Sequence, residues 1–248
     1  MSRRPPRSTL FPSTTLFLSS QYNYFAVPVI DQGGQLLGIV TVDEIVDVIR
    51  EEATEDFLQM AGAGKDREIL MKSSWDNARS RLPWLFASWV GGICAAAVIG
   101  IFDNTLQGTL ALAAFIPVII GMGGNIGTQT STLVVRGLAT GRVNVGNNIN
   151  IIIKEIRVGM ILGILYGLLL GLFAIMRFVD ISPYLGLVVG LGIASSMLIA
   201  TAFGSLAPLL LHRMDIDPAI ATGPFVTTSI DILGVALYLG IAKIFLPV

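Results

Sequence analysis

The stretch FIPVIIGMGGNIGTQTST, residues 115–132, decides how the rest of this chain is read. Its first half is as apolar as a bilayer-spanning helix, but from Gly121 onward it carries Gly123, Gly124, Asn125, Gly127, Thr128, Gln129, Thr130, Ser131 and Thr132. Irregular backbone and amide side chains in hydrocarbon leave unpaired polar groups that each cost several kcal/mol, unless they face a water-filled cavity or another helix. The segment therefore reads as a membrane span, broken by glycine and polar residues, that lines something wet. Interhelical hydrogen bonding alone is the competing reading, because polar residues also serve as packing contacts in membranes.

Working outward, four more apolar stretches accompany the one at 106–135: residues 82–102, 158–176, 184–211 and 219–245. Each is near or above the roughly 20 residues a bilayer requires. Charge is distributed to match. Residues 1–81 hold 20 of the 33 Asp, Glu, Lys and Arg, whereas residues 82–248 hold the other 13. The overall 13% charged, against about a quarter in ordinary soluble domains, argues against a soluble enzyme. No nucleophile–base pair or catalytic metal-ligand spacing is present, and the lone histidine, His212, sits at a span end. A net charge of −1 without a basic stripe gives no reason to expect nucleic acid. The single cysteine, Cys94, excludes an intrachain disulfide.

Asp231 lies within the last apolar stretch, and no basic residue in the middle of any span can pair with it. A carboxylate at a helix centre costs about 2.5–3.5 kcal/mol on insertion scales and usually marks an ion or proton path. Thr227 and Thr228 precede it by one turn, and Pro224, one turn further back, is expected to kink the helix. Together they form an oxygen-lined stretch with one acid, suited to a hard cation. Gly159, Gly163, Gly167 and Gly171 recur every four residues in the third stretch. That face is read as a scaffold for close helix packing.

The front of the chain is different. Residues 1–21 show neither a helical nor a strand period and read as disordered or not native to the protein. Residues 25–30 and 36–40 read as two strands joined by the turn residues Asp31 to Gly34. Thr41 and Glu44 then form a capping box at the start of a helix. On that helix Asp43, Asp47, Glu51 and Glu55 fall at i, i+4 spacing, with Glu52 and Asp56 beside them. Like charges so placed repel by a few tenths of a kcal/mol per pair. A divalent cation would relieve the repulsion, and a solvated acidic surface is the alternative. Residues 61–81 read as an amphipathic connecting helix, either a transmitter of motion or a linker.

Residues 24–49, YFAVPVIDQGGQLLGIVTVDEIVDVI, resemble the second half of a CBS domain. PVIIGMGGNIGTQT from Pro117, continuing to Arg136 and Gly141, and GPFVTTSID from Gly223 to Asp231 resemble the MgtE-type magnesium channel and transporter family. The match covers about residues 22–248. The resemblance implies an all-α polytopic membrane protein with five transmembrane helices, preceded by a partial α/β CBS-domain fragment (22–60) and a connecting helix (61–81). It implies a homodimer whose pore is lined by the second and fifth spans, at Pro117, Gly121, Gly124, Asn125, Thr128, Gln129, Pro224, Thr227 and Thr228. Asp231 would bind hydrated Mg²⁺ there. Asp217 would be an acid at the cytoplasmic mouth, and Asp43, Asp47, Glu51, Glu52, Glu55 and Asp56 would be part of a Mg²⁺ sensor. The family's N-terminal domain and the rest of its CBS pair have no counterpart in these residues, so weak gating is expected.

Basic residues before the first span, between the second and third and between the fourth and fifth place the N-terminus in the cytoplasm and the C-terminus outside. The expected setting is the inner membrane, with Mg²⁺ ranked against Mn²⁺, Co²⁺ and Ca²⁺ left open. A proton- or sodium-coupled exchanger using Asp231 as a protonatable relay is the alternative mechanism, and a non-transporting membrane scaffold is a further one.

Overall fold

The computed structural model describes residues 25–31, 33–63, 71–141, 143, 149–179, 182 and 184–246. Residues 1–21, expected to be disordered or non-native, lie outside the described residues, as do residues 64–70 of the connecting segment. The chain divides into two units, one ending at Asp56 and the other running from Phe57 onward.

In the first unit, β1 (Ala26–Ile30) and β2 (Leu36–Thr41) pair antiparallel, with Ala26 opposite Thr41 and Ile30 opposite Leu36. The turn between them is held by Asp31, whose Oδ1 accepts the backbone N–H groups of Gly33 at 2.9 Å and Gln35 at 2.8 Å. Gly34 takes the left-handed conformation there, at φ 82°. Helix α1 (Val42–Met60) follows without a break. One half of the expected capping box forms. The Glu44 carboxylate accepts the Thr41 N–H at 3.0 Å, while the Thr41 hydroxyl turns to that same carboxylate, at 3.5 Å. The carboxylate, as a charged acceptor, takes the hydroxyl as well.

The second unit continues with α2 (Ser74–Ile101), α3 (Asp103–Gly108), a 3-10 turn (Leu110–Phe115), α4 (Ile116–Ala139), α5 (Ile149–Arg177), α6 (Leu185–Arg213), a second 3-10 turn (Pro218–Thr222) and α7 (Pro224–Phe245). Five segments are long and apolar enough to cross a membrane: α2, the run Leu110–Ala139, α5, α6 and α7. The first span begins earlier than hydropathy suggests. Ser73 caps it, its Oγ accepting the Asp76 N–H at 3.3 Å, so residues 74–81 are the first two turns of α2 and not a separate helix.

Helix α6 is the centre of this unit and packs against α4, α5 and α7, while α2 leans on α7. Its Val188, Val189, Ile193, Met197 and Ala200 are buried. Helix α2 is the reverse, with Leu85, Phe86, Trp89 and Ile93 exposed along it; such a surface belongs in hydrocarbon. The glycine stripe of α5 does what its spacing predicts. A Cβ on Gly163, Gly167 or Gly171 would stand 3.0, 2.8 or 2.7 Å from the carbonyl oxygens of Ala194, Gly190 and Gly186 of α6. Backbone meets backbone along this seam.

The far end of the bundle is fixed by Tyr238. Its fully buried ring lies under Gly192, and its hydroxyl donates to the Leu112 carbonyl at 3.1 Å, tying α7 to the 3-10 turn that leads into α4. Tyr238→Phe leaves that buried carbonyl without its donor. A loss of about 1–3 kcal/mol is expected, read as a lower thermal midpoint of the purified protein in detergent; an unchanged midpoint would show that the bond contributes nothing.

A candidate ion pathway

Proline and glycine place Asp231. Pro224 is the first residue of α7 and does not kink the interior of a longer helix; a missing N–H is harmless in the first turn. The preceding residues, read as the start of the span, form the 3-10 turn Pro218–Thr222. Asp231 is therefore two turns into α7, half-buried. Its neighbour Ile230 fills sockets on α4: a Cβ on Gly123 would lie 3.1 Å from Ile230 Cγ2, and one on Gly127 would collide with Ile230 Cδ1. With α7 this close, Asp231 Oδ1 lies 3.7 Å from where a Cβ on Gly124 would stand.

This corrects one expectation about α4. Its backbone through Gly121–Gly127 is regular helix, and the irregular piece is the 3-10 turn before it. Gly123 and Gly127 serve close approach and not a bend. The helix has two faces. Ile119, Gly123, Ile126, Gly127, Thr130 and Val134 are buried against the rest of the bundle. Pro117, Gly121, Asn125 and Gln129, spaced every four residues, are exposed, with Gly124 and Thr128 at the edge of that stripe. Thr128 donates its hydroxyl to the Gly124 carbonyl at 2.9 Å. The polar stripe and Asp231 thus share one open surface of the chain.

Thr227 and Thr228 donate back to the Pro224 carbonyl at 3.3 and 2.6 Å. Thr228 faces α2, where a Cβ on Gly91 would stand 2.5 Å from its own Cβ. Its role in the geometry is contact with the first span.

Asp217 is held from two sides. Its Oδ1 accepts the Ala219 N–H at 3.0 Å, capping the 3-10 turn, and its Oδ2 accepts Gln59 Nε2 at 3.0 Å. Gln59, fully buried in the last turn of α1, was not singled out from sequence. Gly223 lets that turn approach the start of α7: its absent Cβ would be 3.7 and 3.8 Å from the carbonyl oxygens of Gln59 and Met60. Hydrogen bonds to charged groups contribute about 1.5–3 kcal/mol. Gln59→Ala is accordingly expected to cut hydrogen-exchange protection of the 58–63 amides at least tenfold; unchanged protection would mean that the last turn docks through other contacts.

The acids of α1 differ in exposure. Asp43, Asp47 and Glu52 are exposed, and Glu51, Glu55 and Asp56 are partly buried. Among the described residues, no three acidic, histidine or cysteine side chains converge on a point where they could hold a metal ion. Two further polar groups were missed by sequence reasoning. Glu155 of α5, 8% exposed, accepts the Thr130 hydroxyl at 3.1 Å. Ser196 of α6 places its hydroxyl between Gly123 and Gly234, 2.7 Å from the Cβ position of each. The glycine period extended one step back, from 159 to 155, would have revealed the first; no sequence signal marks the second.

Residues 116–241, from the start of α4 almost to the end of α7, match the MgtE family, described as divalent cation transporters. The chain belongs to the MgtE family. Magnesium transporters MgtE of Bacillus subtilis and Enterococcus faecalis are each 37% identical to it, over 92% and 91% of this chain and 50% and 49% of their own lengths. The Thermus thermophilus magnesium transporter MgtE is 34% identical over 92% of this chain and 50% of its own. The chain thus spans about half the length of these relatives. Family and five apolar spans together make it a multi-pass membrane protein.

Proposed function

We propose that this chain conducts Mg²⁺ across the cytoplasmic membrane as a channel, with Asp231 binding the hydrated ion in the pore. The observation that carries the reading is the open polar stripe of α4 alongside Asp231. Amides and a carboxylate facing hydrocarbon are costly. A second copy of the chain, stripe against stripe, would enclose them in a wet passage with a pair of Asp231 carboxylates. The relatives are named magnesium transporters, which favours Mg²⁺ as cargo.

Mg²⁺ gives up its water reluctantly. Two carboxylates acting through retained water would attract a divalent ion over a monovalent one, and so few direct contacts would let it leave. An inside-negative potential drives entry by about 2.3 kcal/mol per charge per 100 mV. In this reading the N-terminus is cytoplasmic, residues 22–60 act as a CBS fragment, the acids of α1 sense Mg²⁺, and Asp217 is an acid at the cytoplasmic mouth of the pore.

Proteoliposomes holding the purified chain and an entrapped Mg²⁺ indicator test the proposal. Mg²⁺ entry that follows its own gradient is expected. Entry that requires an imposed proton or Na⁺ gradient would favour the exchanger, and no entry would remove the transport reading for this chain.

A further inference from the structure

Glu155 continues the i+4 row of Gly159, Gly163, Gly167 and Gly171 along α5, and like them it is buried. Its neighbours Lys154 and Arg157 point elsewhere and are exposed. Among the described residues, its hydrogen bond is the one from Thr130 Oγ1 at 3.1 Å. Thr130 is itself 2% exposed, on the closed face of α4, next in the chain to Gln129 on the open face. The rest of the closed face is glycine and aliphatic surface, Ile119, Gly123, Ile126, Gly127, Val134 and Val135, apart from Ser131, whose buried hydroxyl has no hydrogen-bond partner among the described residues. Such surfaces permit close approach but fix rotation poorly, because dispersion contacts have little directionality. A hydrogen bond to a carboxylate is directional and strong.

We propose that Glu155 is a positioning residue for ion conduction: through Thr130 it sets the rotation of α4 about its own axis, and so the aim of Asn125, Thr128 and Gln129. The leverage is considerable. At a side-chain radius of about 5–6 Å, a 20° turn of the helix moves those groups by about 2 Å. Glu155 touches no ion; its effect passes through Thr130 to the stripe. The proposal rests on the pore reading for its functional consequence, but the rotation itself does not.

Two readouts separate them. In a Cys94→Ala background, Asn125→Cys reports the stripe through its rate of modification by a charged thiol reagent, with no transport required. Adding Glu155→Ala or Thr130→Val is expected to change that rate at least threefold, whereas Glu155→Gln, whose amide oxygen still accepts from Thr130, preserves it. In proteoliposomes without the label, Glu155→Ala and Thr130→Val each lower Mg²⁺ flux about tenfold and reduce preference for Mg²⁺ over Ca²⁺. The double variant is no worse than either, and Glu155→Gln retains most of the flux.

Equal damage from Gln and Ala at 155 would overturn the proposal in favour of a role for the charge. Multiplying losses in the double variant, or wild-type labelling and flux in Thr130→Val, would also overturn it; the latter holds even if Glu155→Ala does not fold. Absence of Mg²⁺ flux in the unmodified chain would instead defeat the pore reading and leave the labelling result to decide the rotation.

Discussion

Asp231→Ala is expected to abolish selective Mg²⁺ entry while making the protein more stable. At an effective dielectric of about 20, a carboxylate about 4 Å from a unit charge contributes about 4 kcal/mol, and a divalent ion doubles that. Retained water lengthens the distance and lost hydration offsets part of the gain. Only about 1.4 kcal/mol needs to survive for a tenfold effect, so flux should fall by well over tenfold. Stability should move the other way, because a half-buried carboxylate in α7 carries an insertion cost of about 2.5–3.5 kcal/mol that alanine removes. Functional groups often have this signature of lost activity with gained stability. The paired measurement is Mg²⁺ flux in proteoliposomes and thermal midpoint in detergent. Retained flux would refute the assignment of Asp231; a falling midpoint would mean that its carboxylate is a structural contact.

Asp231 was legible in the sequence because a charge in an apolar run has no ordinary explanation. The polar stripe on α4 was legible for the same reason, and the five spans followed from length and apolarity. The roles of individual glycines were not. The sequence suggested a broken backbone at 121–127, but a glycine also serves close approach, and which role applies depends on a partner helix more than sixty residues away. Gly127 is explained by Ile230 and Ala200, and Gly91 by Thr228. Pro224 misled in a similar way, since a proline reads alike as a kink or as a first helical residue until the helix start is known. Gln59 and Glu155 escaped notice because each lies in a charged or polar neighbourhood, QMAGAGKDR and KEIR, where burial is not expected. Their partners, Asp217 and Thr130, are 158 and 25 residues away.

Among the described glycines, Gly204 of α6 has the closest approach to another helix's backbone. A Cβ there would stand 2.6 Å from the Gly127 carbonyl oxygen and 3.3 Å from both its carbonyl carbon and its Cα. All three atoms are backbone, so no rotamer change relieves the contact, and α4 would have to move as a body. That movement would also pull Gly123 and Gly127 off Ile230, and Asp231 away from Gly124. Overpacking commonly costs about 1–3 kcal/mol; with two helix backbones opposed, Gly204→Val is expected at or above the top of that range. Gly92 of α2 is the matched comparison, with nothing within 4 Å of its Cβ position and an exposed setting. Gly92→Ala should gain up to about 1 kcal/mol from helix propensity. Size-exclusion profiles and thermal midpoints of the two variants would separate them: Gly204→Val aggregated or strongly destabilised, Gly92→Ala at or above the parent. A monodisperse Gly204→Val with parental stability would show that α4 and α6 do not meet backbone to backbone at this point, and the position of the polar stripe beside Asp231 would have to be rebuilt.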